Sequence, residues 1–207
     1  METISITNGY MYKFSAEKLL VERIYNQVKQ LDFNPDTVSS QSDDLYYDKE
    51  LFDWFSICIK QVAGKLLLPK ELNFPITSCW ANRIKKLGMA QHHNHGNSFV
   101  SGIFYLTDAT KGGQTVFTTP NLYEQNFKWL SFEAPAFPPV QFTVNPEQGT
   151  LLLFPSCLQH KVNTVQDTTD RLSIAFNVFI SGNLGNGKAK TFLNIKSKSV
   201  EERIKEL

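Results

Sequence analysis

Between residues 76 and 181 the chain is a succession of short β-prone runs, and this series restricts the fold more than any other feature. The runs cover 76–84, 86–93, 99–107, 114–118, 127–133, 138–144, 150–154, 160–165 and 171–181, with Gly, Pro, Asn and Asp between them. Many short strands at such spacing suggest a sandwich, a barrel or a jelly roll. The 16 Phe residues agree with a β-rich core, because aromatic and β-branched side chains pack well on a pleated surface.

The flanks read differently. Residues 3–14 look like a short strand with a turn at Asn8-Gly9. Ser15 is a candidate N-cap for a helix whose apolar positions are Leu19, Leu20, Ile24, Val28 and Leu31, with Glu17 adding negative charge to its first turn. Residues 32–45 read as a loop. A second helix over 48–66 carries the stripe Leu51, Trp54, Phe55, Cys58, Ile59 and Val62, and Pro69 closes it. Both helices are expected to pack on one face of a sheet. Gly182 to Gly187 reads as a flexible turn or linker, 190–195 as a last strand, and 199–206 as a short helix capped by Ser199. The expected class is mainly β with flanking helices (α+β), as one domain over 1–207. Residues 1–73 would form a helical support, 74–181 the β core and 182–207 a C-terminal extension.

Charge and cysteines narrow the function. With 21 basic and 20 acidic residues the net charge is +1, so there is no bulk attraction to nucleic acid or to an anionic membrane. Cys58, Cys79 and Cys157 are too few and too far apart for a disulfide framework or a zinc finger, and are expected as reduced, mostly buried thiols. The first residues lack the basic start and apolar run of a signal peptide, and no apolar run approaches membrane-spanning length. A cytoplasmic location is the expectation, that of the host cell if the chain is phage-encoded.

The chemistry concentrates in the histidines. Of four, three lie in His92-His93-Asn94-His95, and the fourth is His160. On a strand, residues two apart share a face, so His93 and His95 can share one metal ion while His92 and Asn94 face away. His160 is the one histidine left to supply a third ligand. Imidazole suits iron, zinc, copper and nickel. Eleven residues on, Arg171 opens an apolar strand and shares a face with Ser173. A guanidinium inside a barrel needs a partner. A ligand carboxylate held in bidentate fashion would serve, and so would an acidic side chain in a structural salt bridge.

Together these segments resemble the iron(II)- and 2-oxoglutarate-dependent oxygenases, whose usual pattern is His-x-Asp/Glu, a distant His, then Arg-x-Ser about ten residues later. Here it reads His93-Asn94-His95, His160 and Arg171-Leu172-Ser173. Gly102-Ile103-Phe104-Tyr105-Leu106 and Gly112-Gly113-Gln114-Thr115-Val116-Phe117 are similar to segments of the prolyl 4-hydroxylase branch. His-x-His, Ser-Gly-x-x-Tyr-Leu and Phe-Pro-Ser-x-x-x-His together resemble a group of such oxygenases in bacteria and marine phages. The resemblance covers about residues 74–181. It implies a double-stranded β-helix, Fe(II), 2-oxoglutarate as cosubstrate and O2, with release of succinate and CO2. By the same resemblance His93 and His160 are metal ligands, and Arg171, Ser173, Tyr105 and Asn82 contact the cosubstrate.

His95 departs from the pattern, since Asp or Glu is usual there. It can be the third ligand, or stand behind the ligands and leave a position open, or yield to another acid such as Asp108. Two further functions compete: a non-catalytic metal-binding jelly roll, and a three-histidine cupin-like dioxygenase that does not use 2-oxoglutarate. The substrate (a protein side chain, an amino acid or a small metabolite) is not readable. Residues 96–99 and 119–139, with Pro135, Pro138 and Pro139, are expected to line its approach.

Overall fold

The computed structural model describes residues 1–6, 9–42, 45–119, 140–185 and 191–207. The chain starts with an antiparallel pair, β1 (Glu2–Ile6) and β2 (Gly9–Ser15), then helix α1 (Lys18–Val28), the short β3 (Ser39–Gln41) and helix α2 (Lys49–Lys65). The core strands follow: β4 (Ile76–Ile84), β5 (Ala90–His93), β6 (Val100–Tyr105), β7 (Thr115–Thr119), β8 (Val140–Val144), β9 (Thr150–Pro155), β10 (Gln159–Val162) and β11 (Arg171–Val178). A small pair, β12 (Gly182–Leu184) and β13 (Leu193–Ile195), and helix α3 (Val200–Ile204) complete it.

The strands form a large sheet in the order β1-β2-β9-β6-β11-β4-β3 and a smaller one in the order β5-β10-β7-β8. All ladders are antiparallel, and consecutive core strands repeatedly alternate between the two sheets. This is a jelly roll, one of the three architectures that the strand series suggests, and the double-stranded β-helix that the resemblance implies.

Strand alternation explains how the large sheet serves two layers. On β11, Leu172, Ile174, Phe176 and Val178 join the cluster that contains α1 and α2, through Leu20, Ile24, Leu51 and Phe55. Phe55 stacks on Phe176 with ring centroids 4.3 Å apart. The intervening residues Arg171, Ser173 and Ala175 line the cleft between the sheets. On β9 and β6 the same alternation sends Leu151, Leu153 and Phe104 to the helices, and Leu152, Phe154, Ile103 and Tyr105 to the inter-sheet cluster with Phe117. A sheet covered on both faces reads as continuous apolar runs, as in Leu151-Leu152-Leu153-Phe154. Gly102 sits beneath Phe176, where a Cβ would collide with the ring.

The N-terminal elements differ in detail from expectation. Ser15 is not a helix cap; it is the last residue of β2, opposite Thr150. The ladder continues in Ala16, whose N–H donates to the Gly149 carbonyl at 2.9 Å. Helix α1 therefore starts later, with Glu17 as its N-cap residue and no side-chain cap. Its buried face is Leu20, Val21, Ile24 and Val28, while Leu19 is 79% exposed. Helix α2 matches the expected stripe, with Phe52 added to the buried set and Trp54 partly buried against it.

Later in the chain, the 86–93 run is a strand only from Ala90, because Leu87 takes a left-handed φ of 70° in the preceding turn. Gly182–Leu184 is not a linker; it pairs with Leu193–Ile195. Ser199 caps α3 as expected, in a reciprocal capping box with Glu202. Cys58 and Cys79 are buried and Cys157 is exposed, all three as free thiols. No described helix is long and apolar enough to cross a membrane. The expected strand at 127–133, the 120–139 approach segment with its prolines, and Asn8 lie outside the described residues.

Candidate active site

The histidines gather at one end of the cleft. His93 is the last residue of β5 and faces His160 across the β5–β10 ladder. His95 lies just beyond β5, so strand alternation does not place it; its N–H donates to the Ser156 carbonyl at 2.9 Å. One ring nitrogen from each of His93, His95 and His160 lies within 4.8 Å of the others, close enough to hold one metal ion. His92 points away and meets the Thr118 hydroxyl at 3.2 Å. Asp108 is engaged elsewhere, accepting the Gln148 N–H at 2.7 Å.

Two of the rings have their tautomer fixed by backbone carbonyls. His93 Nδ1 lies 2.7 Å from the Gln91 carbonyl, and His160 Nδ1 lies 3.0 Å from the Leu158 carbonyl. A carbonyl only accepts, so each Nδ1 carries the proton and each Nε2 keeps its lone pair for a metal. Burial, with the neighbouring histidines, lowers the His160 imidazole to about 4, against an opposing effect from the Leu158 carbonyl. His95 is lowered too, by burial and then by His93. Both shifts favour the neutral imidazole that metal ligation requires. Three imidazoles, each with a ring nitrogen facing the others, fit a first-row divalent ion such as iron.

Arg171 lies farther along the cleft, on the inner face of β11. It is 2% exposed. Its Nε donates to the Gly113 carbonyl at 3.0 Å, Nη1 to Ser173 Oγ at 3.0 Å and Nη2 to Thr115 Oγ1 at 3.2 Å. Its guanidinium lies 5.3 Å from the Tyr105 ring centre. Tyr105 is wholly buried, and its hydroxyl meets Thr115 Oγ1 at 2.7 Å. The left-handed Gly112-Gly113 pair, with φ of 71° and 70°, presents the Gly113 carbonyl to Arg171. Among the described residues no carboxylate pairs with Arg171, so the structural salt bridge is not found there. Burial lowers its basicity, partly offset by Tyr105. All of its described partners are neutral, and the charge is thus left for an anion.

Asn82 faces Ser173 across the β4–β11 ladder and lines the same cleft. Its Oδ1 accepts from Trp80 Nε1 at 3.2 Å. Trp80 itself stands edge-on to His95, with ring centres 5.9 Å apart. Trp80, Thr115 and Gln41 were not singled out from the sequence. Counting back two residues from Asn82 along β4 would have found Trp80. Thr115 lies inside one of the quoted motifs, but only the fold brings it to Arg171. Residues 96–99 are not among those lining this cleft.

The comparisons with known proteins agree with this geometry. Residues 78–177 match the family model described as "Putative 2OG-Fe(II) oxygenase". No curated protein matches by sequence. Among solved structures, an oxidoreductase of the 2OG-Fe(II) oxygenase family from Burkholderia pseudomallei is 16% identical, with TM-score 0.59, over 82% of this chain and 84% of that one. HygX from Streptomyces hygroscopicus, with nickel and 2-oxoglutarate bound, is 15% identical, with TM-score 0.57, over 82% of each chain. A viral collagen prolyl hydroxylase from Paramecium bursaria Chlorella virus-1, in its 2-oxoglutarate complex, is 14% identical, with TM-score 0.57, over 83% of this chain and 96% of that one.

Proposed function

We propose that this chain, whose residues 78–177 match the 2OG-Fe(II) oxygenase family model, is an oxidoreductase of the EC 1.14.11 type, a dioxygenase that hydroxylates its substrate at the expense of 2-oxoglutarate. The observation that carries this reading is Arg171: a buried guanidinium with only neutral described partners, in the same cleft as a three-histidine cluster. Bound iron(II) supplies redox chemistry in which O2 puts one oxygen into succinate, as 2-oxoglutarate loses CO2, and the other into a substrate C–H bond.

The residues divide that work. His93, His95 and His160 hold the metal. Arg171 takes the far carboxylate of 2-oxoglutarate, and Ser173 and Tyr105 fix the guanidinium and the space beside it. Asn82 keeps its amide N–H2 for the cosubstrate, because its carbonyl is already engaged by Trp80. Phe154, Ile84 and Val162 line the cleft with apolar surface that strengthens these electrostatic contacts by excluding water. With His95 where the family usually has a carboxylate, the ligand set is neutral and the loaded centre is one unit more positive. The substrate is a protein side chain, an amino acid or a small metabolite.

The direct test is to supply Fe(II), 2-oxoglutarate and O2, and to measure succinate and CO2 with and without candidate substrates. Equal release of both, lost in Arg171→Ala, is expected. A metal-loaded protein that neither releases succinate nor binds 2-oxoglutarate would sink the proposal.

A further inference from the structure

His95 is the least supported of the three histidines. His93 ends β5, and His160 lies within β10 between two partner strands. His95 is outside any strand, and no hydrogen bond is found for its ring among the described residues. Its backbone, however, is tied down. The His95 N–H donates to the Ser156 carbonyl at 2.9 Å, and the Ser156 N–H returns to the Phe99 carbonyl at 3.2 Å. The Asn94 side-chain amide donates to the Cys157 carbonyl at 3.4 Å. The loop that carries His95 is therefore mounted on the turn after β9.

That turn is fastened by a buried polar chain. The Ser156 and Ser101 hydroxyls are 2.8 Å apart, and the Ser101 hydroxyl donates to Asn177 Oδ1 at 2.7 Å. Since Ser101 spends its proton on Asn177, the proton between the two hydroxyls comes from Ser156. The chain runs from turn to sheet floor, Ser156 to Ser101 on β6 to Asn177 on β11. Ser156 is fully buried, Ser101 is 2% exposed and Asn177 is 8% exposed. Three polar side chains in a core of Phe and Leu cost stability unless each is satisfied, and here each hydroxyl has its partner. Ser101 also lines the cleft itself.

We propose that the Ser156–Ser101–Asn177 chain is a positioning device for His95, holding the turn after β9 at the height where the His95 ring meets the other two. The proposal rests on His95 being a metal ligand. The three residues are not among those assigned to the metal or the cosubstrate; they act through the Ser156 carbonyl. A strand-borne ligand needs no such mount, and a carboxylate on a shorter side chain would need a different one.

The test is a double-mutant cycle read by nickel(II) calorimetry on the full chain, without turnover. Wild type, Ser101→Ala, His95→Ala and the double variant are titrated. Outer supports of metal ligands are worth roughly 10- to 100-fold in affinity, so Ser101→Ala should weaken nickel binding by about 10-fold in the wild-type background. In the His95→Ala background it should change affinity by less than about 2-fold, because the ligand it positions is gone. Equal losses in both backgrounds, or no loss in the wild-type background, overturn the proposal. If His95→Ala alone leaves nickel affinity unchanged, the ligand assignment has failed, and with it the positioning role. Ser156→Ala breaks the same chain from the other end and decides the matter if Ser101→Ala does not fold.

Discussion

At the scale of single residues, the neighbours His92 and His93 have opposite fates although they are chemically identical. His93 faces the cleft and keeps its Nε2 free, whereas His92 uses its Nε2 on the Thr118 hydroxyl. Nickel calorimetry should therefore separate them. His92→Ala should leave affinity within about 2-fold, and His93→Ala should lower it by at least about 10-fold, since a lost ligand costs no less than a lost outer support. Similar losses for both would mean that the cluster is assembled differently. The two-residue alternation of a strand was enough to make this distinction from the sequence. It also selected His95, but for a reason the structure corrects: β5 stops at His93, and a tertiary hydrogen bond to Ser156 brings His95 in. Such a bond joins residues 61 positions apart, and nothing local announces it.

At the scale of elements, α2 depends on its first turn. Asp48 accepts the Leu51 N–H at 2.9 Å and also pairs with Arg23 of α1 at 2.6 Å. The Arg23 hydrogen bond, followed by the cap itself, holds the Asp48 carboxyl at about 2, below its ordinary value. A carboxyl lowered on folding adds stability above its unfolded value near 3.8, and that contribution is lost as pH falls through about 2. Asp48→Ala should cost about 1 kcal/mol or somewhat more at pH 7, and the difference from wild type should shrink toward pH 2. Urea midpoints of the two proteins between pH 2 and pH 7 check this; a difference independent of pH would remove the ion pair from the account. The cap is hidden in the sequence because the expected helix over 48–66 includes Asp48, whereas the helix starts at Lys49. Ser15 shows the opposite error: a good local cap was overruled by pairing with Thr150, which a local pattern cannot reveal. Strand limits were legible where both faces are buried, as in β9, and in the half-buried β4. They were not where pairing alone defines the strand, as in β12.

At the scale of the whole molecule, the large sheet is the organising part. Its outer face is anchored to two helices by aromatic and aliphatic side chains, and its inner face carries Trp80, Asn82, Arg171 and Ser173 at fixed register. The small sheet brings His93 and His160 against that face. The site is thus a property of two sheets meeting, and neither could form it alone. The strand series narrowed the fold to a sandwich, a barrel or a jelly roll, and the motifs resembling an oxygenase family pointed to the last. The meeting of His95, Trp80 and the Ser101 chain could not be read from either, because it depends on which strands cross between sheets.

The central claim is that the three-histidine cluster and Arg171 form one site for a metal and an acidic cosubstrate. Anaerobic calorimetry of 2-oxoglutarate into the metal-loaded protein tests it most directly. Binding should require the metal. Arg171→Ala should weaken it by roughly 100-fold or more, the loss of one partner from a buried charge pair, while nickel affinity stays within about 2-fold. Tight 2-oxoglutarate binding that survives Arg171→Ala, or loss of nickel together with the arginine, would contradict it.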